Sequence, residues 1–184
     1  MADHEDVREV LIGEEEIARK VQELGEAISR DYAGREIRLV GVLTGAAVFL
    51  SDLMRRIRAP VQVDFLRCRS YGDGTESSGV SLLQDLVEPV EGCHVLVVED
   101  IIDTGTTLNR LLNDLEARGA ASVQVVALLD KPSRRKVPVK VDYVGFTVPD
   151  EWVVGYGLDF AQRYRNLPFV GVLKPRVYQQ QGGD

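Results

Sequence analysis

Val95-Leu96-Val97-Val98-Glu99-Asp100-Ile101-Ile102-Asp103-Thr104-Gly105-Thr106-Thr107 is the stretch that decides how this chain folds. Four apolar residues run into two adjacent carboxylates, two isoleucines follow, and Asp103 leads into a small, hydroxyl-rich turn. Beyond it Leu108, Leu111, Leu112 and Leu115 recur at helical spacing until Arg118-Gly119, where a glycine is a natural stop. The pattern predicts a buried strand, a tight loop and an amphipathic helix. In open α/β sheets ligands sit beyond the carboxyl ends of the strands, which is where Glu99, Asp100 and Asp103 fall.

The residue types divide the work. Thr104 to Thr107 are predicted to open the helix, so their backbone N–H groups and the helix dipole favour a phosphate. Gly105 lets backbone approach closely, and the threonine hydroxyls add donors. Glu99 and Asp100 only accept hydrogen bonds when ionised, so they suit sugar hydroxyls or a metal held by oxygen. Phosphate at one end and diol at the other describe a ribose 5-phosphate.

Outward from this stretch the same alternation continues. Glu14 to about Tyr32 carry Ile17, Val21, Leu24 and Ile28 on one helical stripe. Ile37 to Leu43 read as a strand that delivers Thr44-Gly45-Ala46 to a helix bearing Val48, Phe49, Leu50, Leu53, Met54 and Ile57. Val61 to Leu66 are the next strand. Arg69 to Gly79, glycine-rich and almost without apolar side chains, is a plain connection or a mobile lid. Strands are also predicted at Val80 to Leu83, Val123 to Leu129, Val141 to Val148, Trp152 to Gly155 and Phe169 to Leu173, with a frayed tail from Gln179. Strands alternating with helices argue for an α/β domain with a mainly parallel sheet covered on both faces.

Composition narrows the classes. A chain of 184 residues, 45% hydrophobic and 28% charged, is large enough for one stable core and gives no case for disorder. A formal net charge of -7 disfavours a broad nucleic-acid footprint, and the dense basic cluster Lys131 to Lys136 reads as a solvated loop. No apolar run approaches membrane-spanning length and the first residues are acidic, so no membrane partner is expected. Cys68 and Cys93 form no CxxC and read as reduced, buried thiols, with a cytoplasmic location expected.

The stretch from Val95 to Thr107 resembles the phosphoribosyl-pyrophosphate (PRPP) signature of the type I phosphoribosyltransferases. From Val42-Leu43-Thr44-Gly45 to Tyr164-Arg165-Asn166-Leu167-Pro168 the chain is similar to the hypoxanthine-guanine phosphoribosyltransferases. The specific match is Asp142 to Asp159, with Val148-Pro149-Asp150-Glu151-Trp152-Val153-Val154-Gly155, which resembles the purine-binding segment of that family. The resemblance implies one domain of the type I phosphoribosyltransferase fold. It comprises a central mainly parallel sheet flanked by helices, a flexible lid at about 69–79 and a small hood formed by terminal segments, including about 150–178.

It also implies roles. Trp152 matches the aromatic that stacks on the purine, although alone it would read as a core residue, and the backbone of Val153 is expected to pair with the base edge. Lys131 matches the lysine that donates to a purine 6-oxo group; an ammonium cannot accept, which favours hypoxanthine or guanine over adenine. Asp159 matches a carboxylate that coordinates Mg²⁺, the implied cofactor, with Glu99 and Asp100 as further metal candidates. Arg165 matches an arginine on pyrophosphate, and Thr44-Gly45 occupies the pyrophosphate loop. Lysine is frequent in the family where this chain has Thr44, so backbone N–H groups there are the alternative to a side-chain contact. A cis Leu43–Thr44 peptide is implied too.

Ser70-Tyr71 matches a Ser-Tyr pair on the lid. Asp103 matches a general base near purine N7; a helix N-terminus weakens a carboxylate as a base, so an electrostatic role toward the purine is the alternative. The implied reaction transfers the phosphoribosyl group of PRPP to N9 of hypoxanthine or guanine, in a dimer or tetramer. A related transferase acting on xanthine and a PRPP-binding regulator of transcription are the competing readings. A P-loop or dinucleotide protein fails for want of GxxxxGK[ST] or GxGxxG.

Overall fold

The computed structural model describes residues 4–70 and 80–179. Its elements follow in chain order: β1 (Val7–Ile12), α1 (Glu14–Asp31), β2 (Ile37–Val42), α2 (Ala46–Met54), β3 (Val61–Ser70) and β4 (Val80–Gln84). Then come β5 (His94–Ile102), α3 (Thr106–Ala117), β6 (Ser122–Asp130), β7 (Tyr143–Thr147), β8 (Val153–Val154), β9 (Val170–Leu173) and α4 (Pro175–Gln179).

Six strands form the central sheet in the order β4-β3-β2-β5-β6-β7, parallel except for β4, which turns back along β3. From β2 the chain steps to β3 on one side and later returns to β5 on the other. The order therefore reverses between β2 and β5, which opens a crevice at their carboxyl ends. This reversal positions the site.

Strand alternation assigns the two faces. Leu96 and Val98 of β5 pack with Ile17, Val21 and Ile28 of α1 and with Phe49, Leu50 and Leu53 of α2. Val95 and Val97 point the other way, onto Leu108, Leu111 and Leu115 of α3. Each such leucine, fully buried, contributes about 1.5–3 kcal/mol. Glu14, Glu15 and Glu16 in the first turn of α1 and Arg30 in its last turn agree with the helix dipole.

A second, three-stranded antiparallel sheet, β1-β9-β8, forms the hood. Its inner residues Ile12, Val153, Val170 and Val172 join the α1/α2 side of the main core. Its outer residues Val154 and Leu173 gather Tyr164, Leu167 and Phe169, with Val7, Phe160, Val177 and Tyr178 packed against them.

The structure departs from the sequence expectation in several places. β1 carries Arg8 and Glu9 in a short edge strand with register shifts against β9, so its apolar alternation is too weak to read. β3 continues past Leu66 to Ser70, because pairing with β4 supplies hydrogen bonds that its polar residues do not advertise. α3 starts at Thr106 rather than Thr104, and Cys68 and Cys93 are free and half-buried rather than buried. The expected lid at about 69–79 lies outside the described residues beyond Ser70, including Tyr71 and its side-chain role.

Candidate active site

At the crevice, β2 leads into Leu43-Thr44-Gly45, and Glu99-Asp100 lie near the carboxyl end of β5. The Leu43–Thr44 peptide is cis. A Cβ on Gly45 would lie 1.6 Å from Oδ2 of Asp100, so only glycine lets this loop and this carboxylate share the space. On its other side the loop meets the hood: a Cβ on Gly157 would stand 2.2 Å from the carbonyl oxygen of Gly45. Tyr156, beside it, donates its hydroxyl to Asp52 of α2 at 2.7 Å, which ties the hood turn to the helix behind the loop.

Asp100 accepts the N–H of Ile101 at 2.8 Å. Burial pushes its carboxyl up to about 6, opposed by that N–H and by Arg165, and reinforced by Asp159. Arg165 donates to the carbonyl of Gly157 at 2.7 Å and lies 2.8 Å from Oδ1 of Asp159, whose Oδ2 accepts Gln162 N–H. One acid from β5, one acid and one arginine from the hood and the Thr44-Gly45 loop thus face each other. No group of three or more His, Cys, Asp or Glu side chains suited to a metal forms among the described residues.

Glu99 points to the opposite face of β5 from Asp100. It lines a cavity of about 130 Å³ with Asp103, Thr104, Gly105, Thr107 and Leu108. Burial, and then the charge of Asp100, raise its carboxyl well above the usual range. Gly105 caps α3 with φ 81° and brings no side chain; Thr104 Oγ1 accepts the Thr106 N–H at 3.4 Å, and the next N–H groups of the first turn are left for a ligand.

The basic segment after β6 is largely exposed, as expected of a solvated loop, but its buried Lys131 and its backbone tie it to the site. Lys136 and Val137 donate their N–H groups to the carbonyl of Thr104 at 2.9 and 3.1 Å, which docks the segment on the phosphate-type turn. Arg135 pairs with Asp130. Arg134 places Nε 3.1 Å from Oδ1 of Asp103, an ion pair without hydrogen-bond alignment, and Nη1 3.6 Å from Oδ1 of Asp150.

Lys131, directly after β6, is buried and donates from Nζ to the carbonyl of Glu151 at 2.9 Å. The next residue, Trp152, is 54% exposed, which removes the core reading. One face of its indole stacks on Tyr178 at 5.6 Å, and the ring of Phe160 meets it edge-on. Val153 is buried and pairs with Val172. Sequence reasoning missed Arg134 and Tyr178. The basic run at the end of a sheet strand was a usable signal for Arg134; nothing local marks Tyr178.

The family model of the phosphoribosyl transferase domain matches residues 11–161. The chain belongs to the phosphoribosyl transferase family. Among curated relatives, a hypoxanthine-guanine phosphoribosyltransferase of Staphylococcus aureus is 48% identical, covering 95% of this chain and 98% of that one. A bifunctional protein TilS/HprT of Listeria monocytogenes is 51% identical over 96% of this chain, which spans only 28% of that longer protein. Among solved structures, a hypoxanthine phosphoribosyltransferase of Staphylococcus aureus superposes with TM-score 0.93 at 46% identity, covering 97% of this chain and 98% of that one. In this member of the phosphoribosyl transferase family the crevice between β2 and β5 is therefore the candidate active site.

Proposed function

We infer that this phosphoribosyl transferase moves the 5-phosphoribosyl group of PRPP to N9 of hypoxanthine or guanine, giving IMP or GMP and pyrophosphate. The observation that carries the reading is the bridge made by Arg134. Its guanidinium reaches both Asp103 of the phosphate-type loop and Asp150 of the turn before Trp152, so the two halves of the site face one cleft. Relatives named for this reaction, at close to half identity over nearly the whole chain, support it.

In this reading the first turn of α3 and the hydroxyls of Thr104, Thr106 and Thr107 hold the 5-phosphate, so remote binding energy becomes positioning. Glu99 and Asp100 flank the ribose from the two faces of β5. The backbone of Thr44-Gly45 and the guanidinium of Arg165 meet the pyrophosphate, and Arg165 stabilises its departing charge. The purine stacks on Trp152, its 6-oxo group takes the Lys131 ammonium, and Val153 offers backbone to the base edge. Asp103 faces N7 as base or as an electrostatic partner. Ser70 and Tyr71 would close over the centre.

The donor set fits Mg²⁺. A buried Asp100 that resists ionising, with Asp159 close enough to raise it further, is a pair a dication would relieve. Mg²⁺ takes one or two carboxylates and completes its shell with phosphate oxygens and water, so no larger protein cage is needed. Asp100 and Asp159 would hold it, with Glu99 turned to the other face. Bound there, it would neutralise pyrophosphate oxygens. We assign a homo-oligomer, dimer or tetramer, and a cytoplasmic location to the same reading; no described helix is long and apolar enough to cross a membrane.

An ultraviolet assay with PRPP and Mg²⁺, offering hypoxanthine, guanine, xanthine and adenine separately, tests it. Turnover of hypoxanthine or guanine, lost on chelation, is expected. Turnover of xanthine alone, or PRPP binding without turnover of any base, would overturn it.

A further inference from the structure

Trp152 is the only tryptophan in the chain, and its ring is held by residues outside the cleft. Tyr178 lies against it with centroids 5.6 Å apart and planes 29° from parallel, and Phe160 closes one edge at 82°. Tyr178 and Phe160 pack against the outer cluster of the hood with Val154 and Leu173. They therefore cover the side of the indole turned away from the central sheet. With Trp152 still 54% exposed, the opposite face is the open one.

The support behind Tyr178 is built rather than incidental. Lys174 and Arg176, flanking the start of α4, donate to the carbonyl of Glu5 at 2.6 and 3.0 Å. The Lys174 N–H donates to the carbonyl of Asp6 at 2.9 Å, and Arg176 pairs with its carboxylate at 3.3 Å. Tyr164 donates its hydroxyl to Asp6 at 2.9 Å, the main influence holding that carboxyl below the usual range. A five-residue helix at the end of the described chain is thus fastened to the segment before β1, with Tyr178 set on the indole.

We propose that Tyr178 is a positioning residue of the purine site: from α4 its ring fixes the plane of Trp152, and so the angle at which a purine stacks. The proposal rests on the reading of Trp152 as the purine stacker. An indole free to rotate would have to be ordered by each incoming base, and that cost would appear in base affinity. Tyr178 touches neither PRPP nor the reacting atoms in this reading, so the chemical step and the PRPP site should not feel its loss.

The test uses the full chain with Tyr178→Ala and Tyr178→Phe, steady-state kinetics with hypoxanthine and PRPP varied separately, and Trp152 emission during titration with IMP. Tyr178→Ala should raise KM for hypoxanthine roughly three- to tenfold, the range of one aromatic pair. It should leave kcat and KM for PRPP within about twofold and red-shift the emission of the free protein; Tyr178→Phe should restore both properties. An unchanged KM for hypoxanthine in Tyr178→Ala, or parallel losses in kcat and in KM for PRPP, would overturn the proposal. If wild-type emission ignores IMP while the enzyme turns over, Trp152 is not the stacker and the proposal fails with that assignment. A normal IMP response in the wild type, with Tyr178→Ala kinetically silent, overturns the proposal alone.

Discussion

Lys131 gives its ammonium to the carbonyl of Glu151, the residue directly before Trp152, at 2.9 Å. The end of β6 and the start of the hood are thereby joined at the point where a base edge would be read. Lys131→Met leaves that carbonyl without its charged donor and removes the group proposed to select a 6-oxo purine. The expected result is a loss of about 1–3 kcal/mol of stability by denaturant unfolding. In the ultraviolet assay kcat/KM for hypoxanthine should fall about a hundredfold, with a smaller preference for hypoxanthine over adenine. An unaltered preference would take base reading away from Lys131.

Gly45→Ala should disable the enzyme. The new methyl would stand 1.6 Å from Oδ2 of Asp100, so the loop or the carboxylate must move by more than an ångström. Displacement on that scale costs about a hundredfold in rate, and here it falls on the loop proposed to hold pyrophosphate. The loss should appear in kcat/KM for PRPP; a variant with near-normal PRPP kinetics would place the loop elsewhere in catalysis.

Asp100 has a cost that depends on pH. Its folded-state value, about 6, lies above its ordinary 3.8, so the folded chain holds the proton more tightly than the unfolded chain. Stability therefore falls as pH rises from about 4 to about 6 and stays reduced above that. Asp100→Asn should melt higher than wild type at pH 7.5, by about 2 kcal/mol of stability or several degrees, with the gap closing toward pH 4. The same variant should be inactive. Melting curves from pH 4 to pH 8 measure the trend, and a gap that widens on acidification would refute it.

Arg134 predicts a local effect. Its pairs with Asp103 and Asp150 are half exposed, so each contributes little to global stability. Arg134→Ala should shift Tm by less than about 2 °C. Amide exchange at residues 148–152 should nevertheless quicken, because the turn before Trp152 loses a tether. Equal exchange in both proteins would leave the bridge without consequence.

Much of this was legible in sequence where local pattern and tertiary role coincide. Val95 to Val98 are apolar because both faces of β5 are covered, and Gly105 sits where φ 81° is needed, so strand and turn declared themselves. Features made by distant partners did not. β1 gains its place only through β9, and the largely exposed loop from Pro132 to Val137 carries no sign in its composition that Thr104 accepts two of its N–H groups. The alternating-face placement of Glu99 and Asp100 was readable from strand geometry, yet adjacent acids invite reading as one unit.

The pairing of Val7 with Leu173 joins one of the first described residues to one of the last. On a ribosome the central sheet through β7 emerges well before β9 and α4. A nascent chain can thus assemble the proposed phosphoribosyl cradle while the hood that carries the proposed base shelf is still unfinished, so the two halves of the candidate site form in a fixed order of synthesis.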